Sequence, residues 1–203
     1  MKIRTVDLSI IAVACLLLSG CLTSPNAFYT DGDVFQDDRV LGDYTEENAE
    51  EGSNIRKDID QPGRYLLRCF KKRNPERWMD LTLTLFRAGT NSYADFLPYD
   101  DSCIDRVAGA PPAGMDIIRN ATHQPLHVVA RIAIADDGVA FSLPQKRAMW
   151  EMVQHHPAFT NYIRDESLVL PQSSKELRTL LEKEGGTLFP KPTDFKKPKP
   201  LPK

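Results

Sequence analysis

The chain carries no motif that names a chemistry. Its four histidines form neither His-Glu-x-x-His nor His-x-x-Glu-His, the helical patterns that hold a catalytic zinc. Gly-x-Ser-x-Gly is missing, so no serine is expected on a strained nucleophile elbow. No glycine-rich loop of the phosphate-cradling kind occurs. An excess of positive charge is also lacking. The 26 basic and 28 acidic side chains leave a formal net charge of −2, which argues against a nucleic-acid partner because phosphates need a basic surface to release their counterions. Long apolar runs are absent except for one, Leu8–Leu18, interrupted only by Ser9. It is shorter than the ~20 residues a helix needs to cross a bilayer.

That one run is informative through its flanks. Lys2 and Arg4 precede it, and Leu18-Ser19-Gly20-Cys21 follows it. A basic start, an apolar core of this length and small residues at its end are the parts of an export signal. The final four residues resemble the lipobox of bacterial lipoproteins. The resemblance implies that a diacylglycerol is attached to the Cys21 thiol, that the Gly20–Cys21 bond is cut, and that the new amino group is acylated. Asp7 departs from the usual uncharged or basic opening. Two or three acyl chains give stable anchoring, since each buried methylene contributes about 0.8 kcal/mol and one chain alone is marginal. Leu22 stands where lipoproteins kept in an inner membrane commonly have Asp. The resemblance therefore implies a cell-envelope protein held at the outer membrane and facing the periplasm.

Loss of residues 1–20 leaves 183 residues with 24 basic and 27 acidic side chains, a formal −3. That length suits one domain with extended ends. Cys15 leaves with the signal and Cys21 is taken by lipid, so Cys69 and Cys103 remain. In an oxidising compartment these two are a candidate disulfide. It would close a loop of about 35 residues, contributing roughly 3–4 kcal/mol in the chain-entropy picture. Two buried thiols are the alternative.

Along the chain, residues 21–36 read as a lipidated tether, 37–189 as a strand-rich globular domain and 190–203 as a disordered tail. Arg39–Glu46 and Asn54–Asp60 are expected to be extended, and Gly63–Lys71 is dense in strand formers. Asn74-Pro75 is a turn signal. Trp78–Arg87 alternates, with Met79, Leu81, Leu83 and Leu85 on one face, which is the period of a half-buried strand. Gly89-Thr90-Asn91 turns into a strand over Ser92–Tyr99, and the spacing reads as a meander. His127–Ala135 and Val139–Leu143 form a hairpin about Asp136-Asp137-Gly138. Pro144–His156 shows helical spacing at Met149, Met152 and Val153. Tyr162–Leu170 returns to strand. A second helix opens at Ser173, whose capping partner is Glu176, presents Leu177, Leu180 and Leu181, and is expected to stop at Gly185-Gly186. Pro190–Lys203 holds five prolines and five lysines, a composition with a polyproline tendency.

The expected class is mainly β with two late helices (α+β): an antiparallel meander forming a curled sheet or a lipocalin-like barrel. Element order and size are similar to the lipocalin-like proteins. Their Gly-x-Trp opening is absent, and Leu41-Gly42-Asp43-Tyr44 has Tyr in the Trp position. The wider pattern, ending in Thr187-Leu188-Phe189-Pro190, resembles small envelope lipoproteins, a resemblance that implies no activity.

Several side-chain groups have residue types that could carry chemistry. Glu151 and His155, with His156 adjoining, lie four apart on a helix as two metal ligands can, but a surface pair or a histidine at a helix C-terminus explains them more simply. His123 and His127 would need a loop folded back to share a site. Asp31, Asp33, Asp37 and Asp38 miss the calcium-loop pattern, with Gln36 in place of its glycine and Gly42 in place of its glutamate. Cys69 sits mid-strand with no activating neighbour. Asp95 lies within Tyr93-Ala94-Asp95-Phe96-Leu97, where burial would raise its pKa and suit it to acid catalysis. Asn120-Ala121-Thr122 matches a glycosylation sequon, which carries little meaning beside a lipobox. No residue is assigned as catalytic, cofactor-binding or metal-ligating, and no cofactor is expected. The lysines of the tail, Lys191, Lys196, Lys197, Lys199 and Lys203, suit anionic lipid, peptidoglycan or the acidic groove of an envelope protein. The leading expectation is a non-enzymatic lipoprotein with a ligand-binding or assembly role, its expected partner the membrane through the N-terminal lipid. The alternatives are a periplasmic envelope hydrolase and an accessory subunit of an outer-membrane or secretion complex.

Overall fold

The computed structural model describes residues 22–44, 51–71, 74–99, 126–136, 138–156, 163–164 and 167–199. Among these residues the fold is mainly β with two helices, and its sheet is curled. Its strands are β1 (Leu22–Ser24), β2 (Gly42–Asp43), β3 (Glu51–Lys57), β4 (Tyr65–Lys71), β5 (Asn74–Ala88), β6 (Asn91–Pro98), β7 (His127–Ala135), β8 (Gly138–Ser142), β9 (Ile163–Arg164) and β10 (Ser167–Val169). The helices are α1 (Lys146–His155) and α2 (Ser174–Leu188). Nine strands follow the path β2-β3-β4-β5-β6-β7-β1-β10-β9, and β8 pairs with β7. All pairings are antiparallel except β1 with β10.

The meander follows from the period-two pattern. Leu81, Leu83 and Leu85 of β5 join Ala94 and Phe96 of β6 and Val128, Ala130 and Ile132 of β7 in one buried cluster. Ile55 of β3 and Val139 of β8 lie in the same cluster although they come from opposite ends of the meander. The sheet therefore curls around this cluster, and the lining is its own side chains. The alternate residues Phe86, Tyr93 and Val129 face outward and are covered by Met149, Met152 and Val153 of α1 and Leu177, Leu181 and Leu188 of α2. A two-residue turn joins β5 to β6, and β7 pairs with β8 from Ala135 against Gly138 onward. Gly89 in the β5–β6 turn has φ +60°, a conformation an L side chain resists. Asn74-Pro75, expected in a turn, begins β5 instead.

Three expectations are corrected at the ends of the chain. Residues 22–36 are not a free tether. Leu22, Phe28 and Val40 are fully buried, β1 is inserted between β7 and β10, and Val34 bridges to Phe86. The segment 22–44 is thus a strap: Leu22, Phe28 and Tyr29 pack on the outer cluster, and Val40 and Tyr44 pass into the inner one. Its apolar residues, sparse in sequence, each find a place in an existing core. Residues 190–199 of the expected disordered tail are also seated. Lys196 exchanges both backbone hydrogen bonds with Val139 of β8, and Lys199 does the same with Asp43 of β2. The tail thus spans the gap between β8 and β2, where the strand ladder itself stays open. Proline tracts lack only the donors at proline, and the donors used here belong to lysines. Finally, α2 runs through Gly185-Gly186 to Leu188. Gly185 is there because a Cβ at that position would collide with the Tyr93 hydroxyl, which reaches the Leu181 carbonyl. The Ser173–Glu176 capping box forms as the spacing predicts.

Candidate functional site

Asp95 lies on β6 opposite Val129, so it is diagonal to His127 on the same face of the sheet. His127 Nδ1 is 2.6 Å from Asp95 Oδ2. The carboxyl is wholly buried, and Oδ1 has no hydrogen-bond partner among the described residues. Burial drives the Asp95 pKa upward, against the opposing pull of His127 and the more distant charge of Arg64. An unpaired carboxylate in such a place is costly, so the group either shares a proton with the imidazole or holds it. Tyr29 of the strap lies within electrostatic reach of Asp95, and its hydroxyl donates to Thr84 Oγ1 at 3.3 Å. Burial first, and then the Asp95 charge, push the Tyr29 pKa up.

A carboxyl on Nδ1 is the arrangement that leaves Nε2 of a histidine to act as a base. Ser24 of β1 is paired directly with His127 in the sheet, giving a Ser–His–Asp line across three neighbouring strands. The serine hydroxyl, however, is fully buried and accepts a hydrogen bond from the Asn26 backbone N–H at 2.9 Å. Nucleophilic attack needs a serine that a substrate can reach, and this hydroxyl is buried beneath the sheet surface. The group is a clasp that locks β6, β7 and the strap together.

The other candidates are dispersed. Glu151 is engaged by Arg147 at 2.8 Å, one turn back on α1. Asp33 pairs with Arg178, Asp37 with Arg39 and Asp38 with Lys57, so these carboxylates each serve a cation in place of a common centre. No cluster of metal-ligating side chains occurs among the described residues. Cys69 is half-buried on β4, beside the inner cluster. Cys21, Cys103, His123 and Asn120 lie outside the described residues. The Asp95–His127 pair could not have been read from sequence, because it depends on the β6–β7 register. The polar residues in two otherwise apolar strands were its only signal. Comparison of the chain with protein-family models, with curated proteins and with solved structures finds no match in any of the three.

Proposed function

We propose that this is a bacterial lipoprotein, cut before Cys21 and held in the envelope by acyl chains on that residue. Within that class, the reading is an outer-membrane protein facing the periplasm that binds or assembles and performs no catalysis. The observation that carries it is the lipobox Leu18-Ser19-Gly20-Cys21 behind a basic start and a single apolar run. No helix among the described residues is long and apolar enough to cross a membrane, and the acyl chains supply the anchor. The inner face of the curled sheet is occupied by its own aromatic and aliphatic side chains, which favours contact through the outer surface over a lipocalin-style ligand. Metabolic labelling with a fatty acid, followed by membrane fractionation, tests the anchor. Wild type should carry label in the membrane fraction, while Cys21→Ala should remain an uncut, unlabelled precursor. Normal processing and fractionation of that variant would overturn the reading. The hydrolase alternative draws on the Asp95–His127 pair alone, and it requires that Asp95→Asn abolish an activity that the folded wild type displays.

A further inference from the structure

The strap leaves no slack between the lipid site and the folded domain. Leu22 is wholly buried, and β1 begins there. Any group on Cys21 is therefore tied one peptide unit, about 3.8 Å between Cα atoms, from a core residue. β1 and β8 lie end to end along the same edge of β7: Thr23 pairs with Val128, and Ser142 pairs with Arg131. The chain thus enters the sheet where β8 leaves it.

What surrounds that junction is basic and carries an exposed indole. The Ser142 hydroxyl donates to the Pro190 carbonyl at 2.6 Å, which brings exposed Lys191 alongside. The Gln145 backbone N–H donates to the Leu188 carbonyl at 2.8 Å, fixing the start of α1 beside the end of α2. The first turn of α1 exposes Lys146 and Arg147. Trp150 follows on the same face and is 41% exposed, whereas Ala148, Met149, Met152 and Val153 are turned into the core. From Ser142 to Lys146 the chain spans at most about 14 Å, and Trp150 is about 6 Å further along the helix. Glu151, the one acidic group of this face of α1, is bound to Arg147. Tryptophan with neighbouring Lys and Arg is the composition that settles at a membrane–water boundary.

We propose that this face, formed by Trp150, Lys146, Arg147 and Lys191, lies directly on the anionic phospholipid surface of the membrane that holds the Cys21 acyl chains. The domain sits flush on the bilayer. The inference rests on the lipoprotein reading, since the anchor is what brings the face to lipid. With no spacer, the acyl chains and the basic face act on one surface at high effective concentration.

The test uses the full-length, acylated protein reconstituted into phosphatidylglycerol-containing vesicles. A membrane-impermeant amine reagent is applied, and labelling is read by mass spectrometry against the same protein in neutral detergent. Lys146 and Lys191 should label several-fold less in vesicles, while Lys57, held by Asp38 toward the Asp136 end of the β7–β8 hairpin and away from Ser142, should label equally in both. In a Trp78→Phe background, Trp150 emission should be quenched by brominated lipid, and acrylamide quenching should fall. Lys146→Gln, Arg147→Gln and Lys191→Gln should each weaken the protection by up to about fivefold. Equal labelling of all three lysines in both settings, with intact mass showing acyl chains on Cys21, overturns the flush face and leaves the anchor standing. An unmodified Cys21 overturns the anchor, and the face with it.

Discussion

The meander β3–β8 and the two ends of the chain hold one sheet by different means. In the meander, long antiparallel ladders bury an alternating set of residues such as Leu83, Ala94 and Ile132, so each contact is backed by others on the same strand. The ends have no such redundancy. The strap is fixed by a three-residue strand, a few aromatic anchors and the Asp33–Arg178 ion pair to α2. The tail is fixed by two backbone bridges and the Ser142 hydrogen bond to the Pro190 carbonyl. Yet the ends finish what the meander leaves undone. The strap covers polar Thr84 and Asp95 on the outer face, and the tail spans the open edge from β8 to β2. An element can thus complete a core without having one of its own.

The sharpest way to break that contrast is truncation at Leu22. If residues 22–36 were a tether, Leu22→Ala would be silent. As a fully buried residue of the outer cluster, it should lose about 3 kcal/mol, similar to Leu83→Ala in the meander. Denaturant unfolding checks both, and an unchanged midpoint for Leu22→Ala would return the strap to the status of a linker. The tail can be probed through Gly42. Its φ of +148° and the approach of Pro198 leave no room for a Cβ. Gly42→Ala should cost about 1–3 kcal/mol. Removal of residues 195–203 should lower the cost of that substitution, because part of it is collision with the tail. Equal costs with and without the tail would show that the bridges to β2 contribute nothing at this site.

How far the fold could be read from sequence follows the same division. β7 and the start of α2 were legible because strand period, turn residues and capping box agree over many positions. The strap was misread because Phe28, Tyr29, Val34 and Phe35 are spread through polar residues with no periodicity, so their burial depends on a surface built elsewhere. The tail was misread because composition shows that a segment cannot form its own core, but not that its backbone finds an unpaired edge. Gly185 misled in another way. Glycine commonly ends a helix, but here it makes room for Tyr93, which lies 92 positions earlier in the chain. In the candidate site, Asp95 was legible as an acid in an apolar strand. Its partner was not, since a shift of one residue between β6 and β7 would place His127 on the other face.

The smallest expected effect separates the regions by the sign of their pH dependence. Burial pulls Asp33 of the strap upward, but the Thr30 hydroxyl and backbone N–H and the Arg178 guanidinium outweigh it, holding the carboxyl below its ordinary 3.8. Its contribution is therefore present above pH 3.8 and is lost as pH falls through the lowered native value. Asp95 of the meander is the reverse case, raised above 3.8 by burial. Below pH 3.8 both the native and the unfolded chain hold that proton. As pH rises above 3.8 the unfolded chain releases it first, so native stability from this residue falls until the raised native value is passed. Stability of Asp33→Asn and of Asp95→Asn, each measured against wild type from pH 3 to 8, should show the two trends. The cost of Asp33→Asn should grow with pH to a plateau of about 1 kcal/mol, kept modest by solvent around Arg178. The cost of Asp95→Asn should shrink over the same range. Parallel trends in the two variants would mean that the Asp95 carboxyl is as well stabilised as the one in the strap, and that the Asp95–His127 clasp works as a full ion pair.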